Sequence, residues 1–219
     1  MSIRQNILSI QKEIPDEVTL IAVSKTKPLQ DLEDAYECGM RDFGENKVQE
    51  LMEKYDRFHK DVRWHLIGHL QTNKVKYLVG KVHLIHSLDS IKLLHQIEKV
   101  YSAENMIAKV LIQINIGKEE SKTGIFEEDI ENIIEEIEKC NYVKALGIMV
   151  IIPKGDVESN RLYFRKTKGI WNVLSEKNYK NVQMEYLSMG MTKDYKTAIE
   201  EGSNMVRIGE GIFGQRIYN

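Results

Sequence analysis

The stretch Lys109-Val-Leu-Ile-Gln-Ile-Asn115, followed after a charged, glycine-containing turn by Ile130-Glu-Asn-Ile-Ile-Glu-Glu-Ile137, carries the pattern on which the fold is read. Its first half is a short apolar run rich in β-branched residues, suited to a strand buried in a parallel sheet. Its second half spaces Ile130, Ile133, Ile134 and Ile137 three and four apart, which gathers them on one face of a helix. Glu135, Glu136, Glu138 and Lys139 then fall on the solvated face. The pair reads as one strand–helix unit.

The unit recurs along the chain. Similar runs span 18–24, 42–46, 64–68, 82–87, 145–150, 184–188 and 205–209, making eight with 109–115. After the second run, Val48, Leu51, Met52 and Tyr55 repeat the helical spacing, and Gly39, Gly80 and Gly202 stand where helices end in a left-handed residue. Eight strand–helix units of roughly 25 residues predict a single (β/α)₈ TIM barrel covering 1–219; an open flavodoxin-like sheet uses fewer. Ile3, Ile7, Ile10 and Ile14 predict an extra N-terminal helix, placed over the barrel floor. The second run is the weak point, being short and mostly polar.

Composition narrows the function. With 42% hydrophobic and 29% charged residues the chain can bury a sizeable core, and a net charge of -2 offers no basic face for nucleic acid. The N-terminal residues contain no long apolar run, so neither a signal peptide nor a membrane span is expected, and the cytoplasm is the expected compartment. Three prolines and no linker-like segment point to one domain. Cys38 and Cys140 are too far apart, without a CxxC or Cys/His cluster, to suggest zinc or a disulfide framework. Both are expected as thiols on the core sides of helices.

Barrels of this kind carry their chemistry at the C-terminal ends of the strands. Those ends here are Ser24-Lys25, Glu45-Asn46, Gly68-His69, Ser87, Asn115, Met149, Ser188-Met-Gly-Met191 and Gly209-Glu-Gly211. Lys25 follows a wholly apolar strand, and two readings stay open: a snorkelling or salt-bridged lysine, or a nucleophilic amine suited to imine formation. Burial and the neighbouring cation Lys27 favour the second by disfavouring the ammonium. The loops after the seventh and eighth strands often bind phosphate in such barrels. Here Ser188, Gly190 and Thr192 precede the helix with Tyr195, Ala198 and Ile199, while Gly209 and Gly211 let a second backbone approach. Each loop alone is equally read as a turn glycine and a helix-capping threonine.

Two motifs mislead. Gly209-Glu-Gly211-Ile-Phe-Gly214 satisfies G-x-G-x-x-G, yet only five residues follow it, too few for the dinucleotide-binding βαβ unit. His65 and His69 have the i, i+4 spacing of a zinc helix, but they sit at a strand end, where that spacing does not align imidazoles. His65 is read as a hydrogen-bonded, half-buried histidine that alternatively lines the mouth.

Assembled, the motifs Ala22-Val-Ser-Lys-Thr-Lys-Pro28, Phe43-Gly-Glu-Asn46, Trp64-His-Leu-Ile-Gly68, Leu70-Gln-Thr-Asn-Lys74, Gln113-Ile-Asn115, Ser121-Lys-Thr-Gly124, Leu187-Ser-Met-Gly-Met191, Met205-Val-Arg-Ile-Gly209 and Ile212-Phe-Gly214 strongly resemble the pyridoxal phosphate homeostasis family. The likeness covers nearly the full length. That family is similar to the N-terminal barrel of alanine racemase, whose first-strand lysine forms an imine with pyridoxal 5′-phosphate (PLP). The resemblance puts Lys25 in that role and Arg207 against the pyridine nitrogen. The full candidate cofactor set is Lys25, Asn46, His65, Met149, Ser188, Gly190, Thr192, Arg207, Gly209 and Gly211. Departures are small: Glu210-Gly211 replaces a small or hydroxylated pair, and the tail Arg216-Ile-Tyr218 lacks an aspartate before the tyrosine.

Alanine racemase also needs a tyrosine base from a second domain and partner subunit, and eight units leave no residues for such a domain. The resemblance therefore implies a monomeric carrier that buffers or delivers PLP, with PLP-dependent apoenzymes as clients. Alternatives are a weak PLP-dependent racemase or transaminase and a cofactor-free Schiff-base aldolase resting on Lys25 alone. A fixed guanidinium beside the ring nitrogen disfavours its protonation and weakens carbanion chemistry. Carboxylates such as Glu45 are expected to support slow proton abstraction at most.

Overall fold

The structure, a computed structural model, describes residues 2–215. The C-terminal tail motif of residues 216–218 lies outside them. Strands β1 (Thr19–Val23), β2 (Asp42–Glu45), β3 (Arg63–Leu66), β4 (Leu84–Leu88), β5 (Ala108–Ile114), β6 (Val143–Val150), β7 (Val182–Met191) and β8 (Met205–Ile208) form a closed barrel in sequence order. Every pairing is parallel, and β1 closes on β8 with Ile21 opposite Arg207. The helices are α1 (Ile3–Gln11), α2 (Leu29–Glu37), α3 (Val48–Arg57), α4 (Ile91–Ala103), α5 (Ile130–Glu138), α6 (Val157–Ser175), α7 (Tyr195–Glu200) and α8 (Glu210–Phe213).

The alternation of each strand divides the interior in two. One side chain of each pair enters the large core between barrel and helices, where Phe43, Trp64, Leu66, Ile85, Val110 and Ile148 meet the buried faces of α2 to α6. The other enters the barrel, where Ile21, Leu84, Leu111, Met149 and Met205 form a separate apolar cluster. Burying each such side chain contributes about 1.5–3 kcal/mol, so the two packings hold the barrel closed. Ile130, Ile133, Ile134 and Ile137 lie on the buried face of α5. Gly39, Gly80 and Gly202 all have positive φ where a helical segment ends.

Two expectations change. No α-helix joins β3 to β4; a 3₁₀ turn, Thr72–Tyr77, takes its place. That segment buries Val75 and Leu78 and lacks the longer apolar stripe that a helix needs to dock. The N-terminal helix does not cover the floor. It packs beside the barrel against α2 and α8, with Asn6 Nδ2 donating to the Ile212 carbonyl at 2.9 Å, and supplements the four-residue α8 in the outer ring. The polar second strand, by contrast, is buried along its whole length, its two carboxylates paired by side chains from β3, from α3 and from the end of β1. Asp42 pairs with Arg63 and His65, and Glu45 with Ser24 and Lys54. Both cysteines are free thiols; burial, joined by Glu98, pushes the Cys140 thiol up to about 11.

Candidate functional site

The mouth gathers the ends of β1, β7 and β8. Ile21 belongs to the inner cluster and Ala22 to the outer core, so the alternation carries Lys25 to the inner side and Ser24 to the helix side. Lys25 is half-buried and lines a cavity of about 300 Å³ with Val23, Lys27, Gly209, Glu210, Gly214 and Gln215. Lys27 shares the cavity, but its amine donates to the Phe213 carbonyl at 2.9 Å. Thr26 between them has φ 63, and its backbone N–H donates to Glu50 Oε1 at 2.5 Å. A non-glycine residue in that region stores strain that the surroundings must hold in place.

The β7 and β8 loops are brought together as the sequence suggested. Thr192 Oγ1 accepts the Gly211 backbone N–H at 3.2 Å. Gly190 has φ 97, and a Cβ there would lie 2.6 Å from the Ala198 side chain and 3.0 Å from the Tyr195 backbone. Glycine at this position therefore lets α7 close onto the loop. A Cβ on Gly209 would press on Val23 at 3.2 Å, where β8 meets β1. Asp194 Oδ1 accepts the Met191 N–H at 2.6 Å and fixes the turn into α7; burial raises its carboxyl above the usual range.

Beneath the loops lies Arg207, only 4% exposed. Nη1 donates to Ser188 Oγ at 2.5 Å and Nη2 to the Val150 carbonyl at 2.8 Å. No carboxylate forms an ion pair with it among the described residues. Burial draws the guanidinium down to about 10, with Asp194 opposing, so it stays charged at neutral pH.

The other candidates fall elsewhere. Asn46 is half-buried at the end of β2, its backbone carbonyl close against Gly68. Ser188 is fully buried with its hydroxyl engaged by Arg207 and by His86 Nδ1 at 3.2 Å, which places it under the mouth and not at the phosphate-type loops. Met149 is fully buried in the inner apolar cluster. His65 is not half-buried but enclosed, and both ring nitrogens are used, Nε2 by Asp42 and Nδ1 by His86, each at 3.0 Å. His69 instead pairs on the surface with Asp89. Glu45 faces the helix layer, where Lys54 and Ser24 hold it, so it is not a base for anything in the mouth. Burial raises its carboxyl against the pull of Lys54.

Sequence reasoning missed Asp42 and His86. Burial, helped by His65 and Arg207, holds His86 well below the usual histidine range and so neutral. Burial alone would push the Asp42 carboxyl up, but hydrogen bonds from His65 and Arg63 outweigh it and hold it at about 2. The available signal was a histidine inside two consecutive apolar strands.

A closed (β/α)₈ barrel with a lysine beyond β1 and joined loops after β7 and β8 defines the class of the alanine racemase N-terminal barrel. The family described as "Alanine racemase, N-terminal domain" matches residues 1–217. Alanine racemase of Clostridium difficile shares the fold at a TM-score of 0.78 and 16% identity, this chain spanning 57% of that one. Nearer relatives are more specific. The "Pyridoxal phosphate homeostasis protein" of Aquifex aeolicus is 45% identical over 201 residues, covering 91% of this chain and 87% of that protein. The protein of the same name from Haemophilus influenzae is 37% identical, covering 100% and 98%. PipY of Synechococcus elongatus, solved with PLP bound, superimposes at a TM-score of 0.89 with 30% identity, covering 97% and 100%. The chain belongs to the pyridoxal phosphate homeostasis protein family.

Proposed function

We propose that this chain binds PLP covalently through Lys25 at the barrel mouth and serves to buffer or deliver it to apoenzymes. The observation that carries the reading is Arg207, a buried guanidinium with no carboxylate ion-paired to it among the described residues, two positions before Gly209 of a lysine-lined cavity. The donor set suits the group: an amine for an aldehyde, loop N–H groups and the Thr192 hydroxyl for a phosphate, and a guanidinium for a pyridine nitrogen. Bound, PLP supplies an aldehyde that condenses with amines and a ring that withdraws electrons. Gly190, Thr192, Gly209 and Gly211 hold the phosphate, and Asn46 borders the mouth from β2. His65 and Met149 lie below the site and take no part in contact, while Ser188 supports Arg207. The PLP bound to PipY and the names of the relatives support the same reading.

A carrier, not a racemase, fits the mouth. Among the described residues the cavity lining contains no tyrosine, and Glu45 is turned away. Arg207, being cationic, keeps the ring nitrogen unprotonated and limits carbanion stabilisation. The protein is read as monomeric and cytoplasmic. Free thiols suit a reducing compartment, and no helix among the described residues is long and apolar enough to cross a membrane. The test is an absorption spectrum of the purified protein before and after borohydride, followed by peptide mapping. The pyridoxyl group should map to Lys25; finding it on Lys27 or Lys74 overturns the assignment. Amino-acid turnover near ~10 per second, abolished by Lys25→Ala, would make the protein an enzyme.

A further inference from the structure

Asp42, His65, His86, Ser188 and Arg207 touch in series inside the barrel, one from each of β2, β3, β4, β7 and β8. Asp42 Oδ1 lies 3.0 Å from His65 Nε2, and His65 Nδ1 lies 3.0 Å from His86 Nε2. His86 Nδ1 lies 3.2 Å from Ser188 Oγ, which lies 2.5 Å from Arg207 Nη1. All five are buried, His86 and Ser188 fully. At the floor, half-exposed Arg63 reaches Asp42 through Nε at 2.7 Å and Nη2 at 2.5 Å.

We propose that these five side chains form a one-way hydrogen-bond chain, running from Arg207 down to Asp42, that positions Arg207 for the ring of a cofactor bound at the mouth. The positioning role rests on the PLP reading above; the chain itself does not. Its ends set its direction. Arg207 has donors only, and ionised Asp42 has acceptors only. Ser188 and each neutral histidine give one proton and take one, so the links run Arg207 to Ser188, Ser188 to His86 Nδ1, His86 Nε2–H to His65 Nδ1, and His65 Nε2–H to Asp42. Both histidines are thereby fixed as the Nε2–H tautomer. An added proton on His65 would turn His86 round, and Ser188, then receiving from both sides, would have no acceptor in the chain for its own hydrogen.

Two consequences follow for the mouth. The Ser188 hydroxyl hydrogen points down the chain, so it is not offered to a phosphate. The guanidinium is held at two nitrogens, by Ser188 and the Val150 carbonyl; the carboxylate whose charge reaches it is Asp194, while Asp42 is paired with Arg63. Asp42, His65 and His86 act through their neighbours and are positioning residues.

The test is ¹⁵N–¹H correlation of the histidine side chains in the ligand-free protein at neutral pH. His65 and His86 should both appear as Nε2–H tautomers. Asp42→Asn keeps an acceptor for His65 Nε2–H in its amide oxygen, so it removes the charge at the end of the chain while both tautomers should stay in place. A doubly protonated or Nδ1–H His86 in the unmodified protein overturns the chain, and that measurement needs no variant to fold. With PLP added, Asp42→Asn should weaken binding roughly threefold or more, while borohydride still marks Lys25. An unchanged dissociation constant in Asp42→Asn removes the positioning role, and failure of PLP to bind the unmodified protein fails the site reading alone.

Discussion

Two cations are buried within the barrel wall region, and they are treated in opposite ways. Lys54, on α3, donates to Glu45 Oε1 at 2.8 Å, Glu50 Oε1 at 2.7 Å and the Ser24 carbonyl at 2.8 Å. Arg207, on β8, meets a hydroxyl and a carbonyl and, among the described residues, no carboxylate. One charge is compensated where it stands, outside the barrel. The other stands inside the barrel, two residues before Gly209 of the cavity lining, with no ion pair among the described residues. A buried charge costs several kcal/mol unless paired, so an unpaired one beside a cavity points to a ligand, while a paired one points to architecture. Neighbouring residues serve the two regions: Ser24 turns out to the Lys54 cluster and Lys25 turns in to the cavity.

The comparison breaks most visibly at Lys25. Lys25→Ala should abolish covalent attachment altogether, seen as loss of the visible band and of the borohydride-fixed mass, with little change in thermal stability. A retained adduct would move the chemistry to another amine. Next in size is Lys54→Met, which leaves Glu45 and Glu50 facing each other without their cation. Removing one partner of such a buried pair costs about 3–5 kcal/mol, or a fall of roughly 10 °C in Tm for a domain of this size. PLP should still attach to Lys25 in the folded variant. A melting point within a degree or two of the parent would show the cluster to be dispensable.

How far the sequence reached follows the same division. Lys25 and the Gly190, Thr192, Gly209 and Gly211 loops are named by local motifs at strand ends and Arg207 by the family resemblance, and the structure brings their segments together. Strand periodicity placed all eight strands within a few residues because each buries its own apolar side chains. The inner polar chain was not readable, since His65 and His86 become neighbours only when β3 pairs with β4, and Ser188 reaches His86 only across the closed barrel. Nor could the short second strand reveal which way Glu45 faces before Lys54 and Ser24 were seen to claim it. His65 was drawn toward the mouth by its place near a strand end, although Asp42, from the adjacent strand, holds it below.

Thr192→Val sharpens the ligand side of the comparison. A hydroxyl bonded to a charged group contributes about 1.5–3 kcal/mol, so PLP should dissociate with a constant raised at least about tenfold, while the ligand-free melting point moves little. Identical binding by the variant would place the phosphate elsewhere. Acid tests the carboxylate at the far end of the chain. Asp42 is held at about 2 against an ordinary 3.8, so its contribution, on the order of 2 kcal/mol, is complete above about pH 4 and is lost as pH falls through 2. Unfolding in urea across pH 5 to 2 should lose that much more stability in the parent than in Asp42→Asn. Parallel pH curves for the two would dissociate Asp42 from the acid transition.

The smallest expected effect is the most discriminating. Arg207→Met in the ligand-free protein removes a desolvated cation, which is favourable, and strips a donor from Ser188 and from the Val150 carbonyl, which is not. Replacing a buried charge by an apolar side chain of similar length is often neutral or stabilising, whereas an unsatisfied buried acceptor costs about 1–3 kcal/mol. These oppose, and no carboxylate is orphaned as it is in Lys54→Met. The net change in unfolding free energy should therefore stay within about 1 kcal/mol, far less than at Lys54, while PLP binding weakens. Matching losses at the two positions in a urea titration would mean that Arg207 is as structural as Lys54 and is not held in place for a ligand.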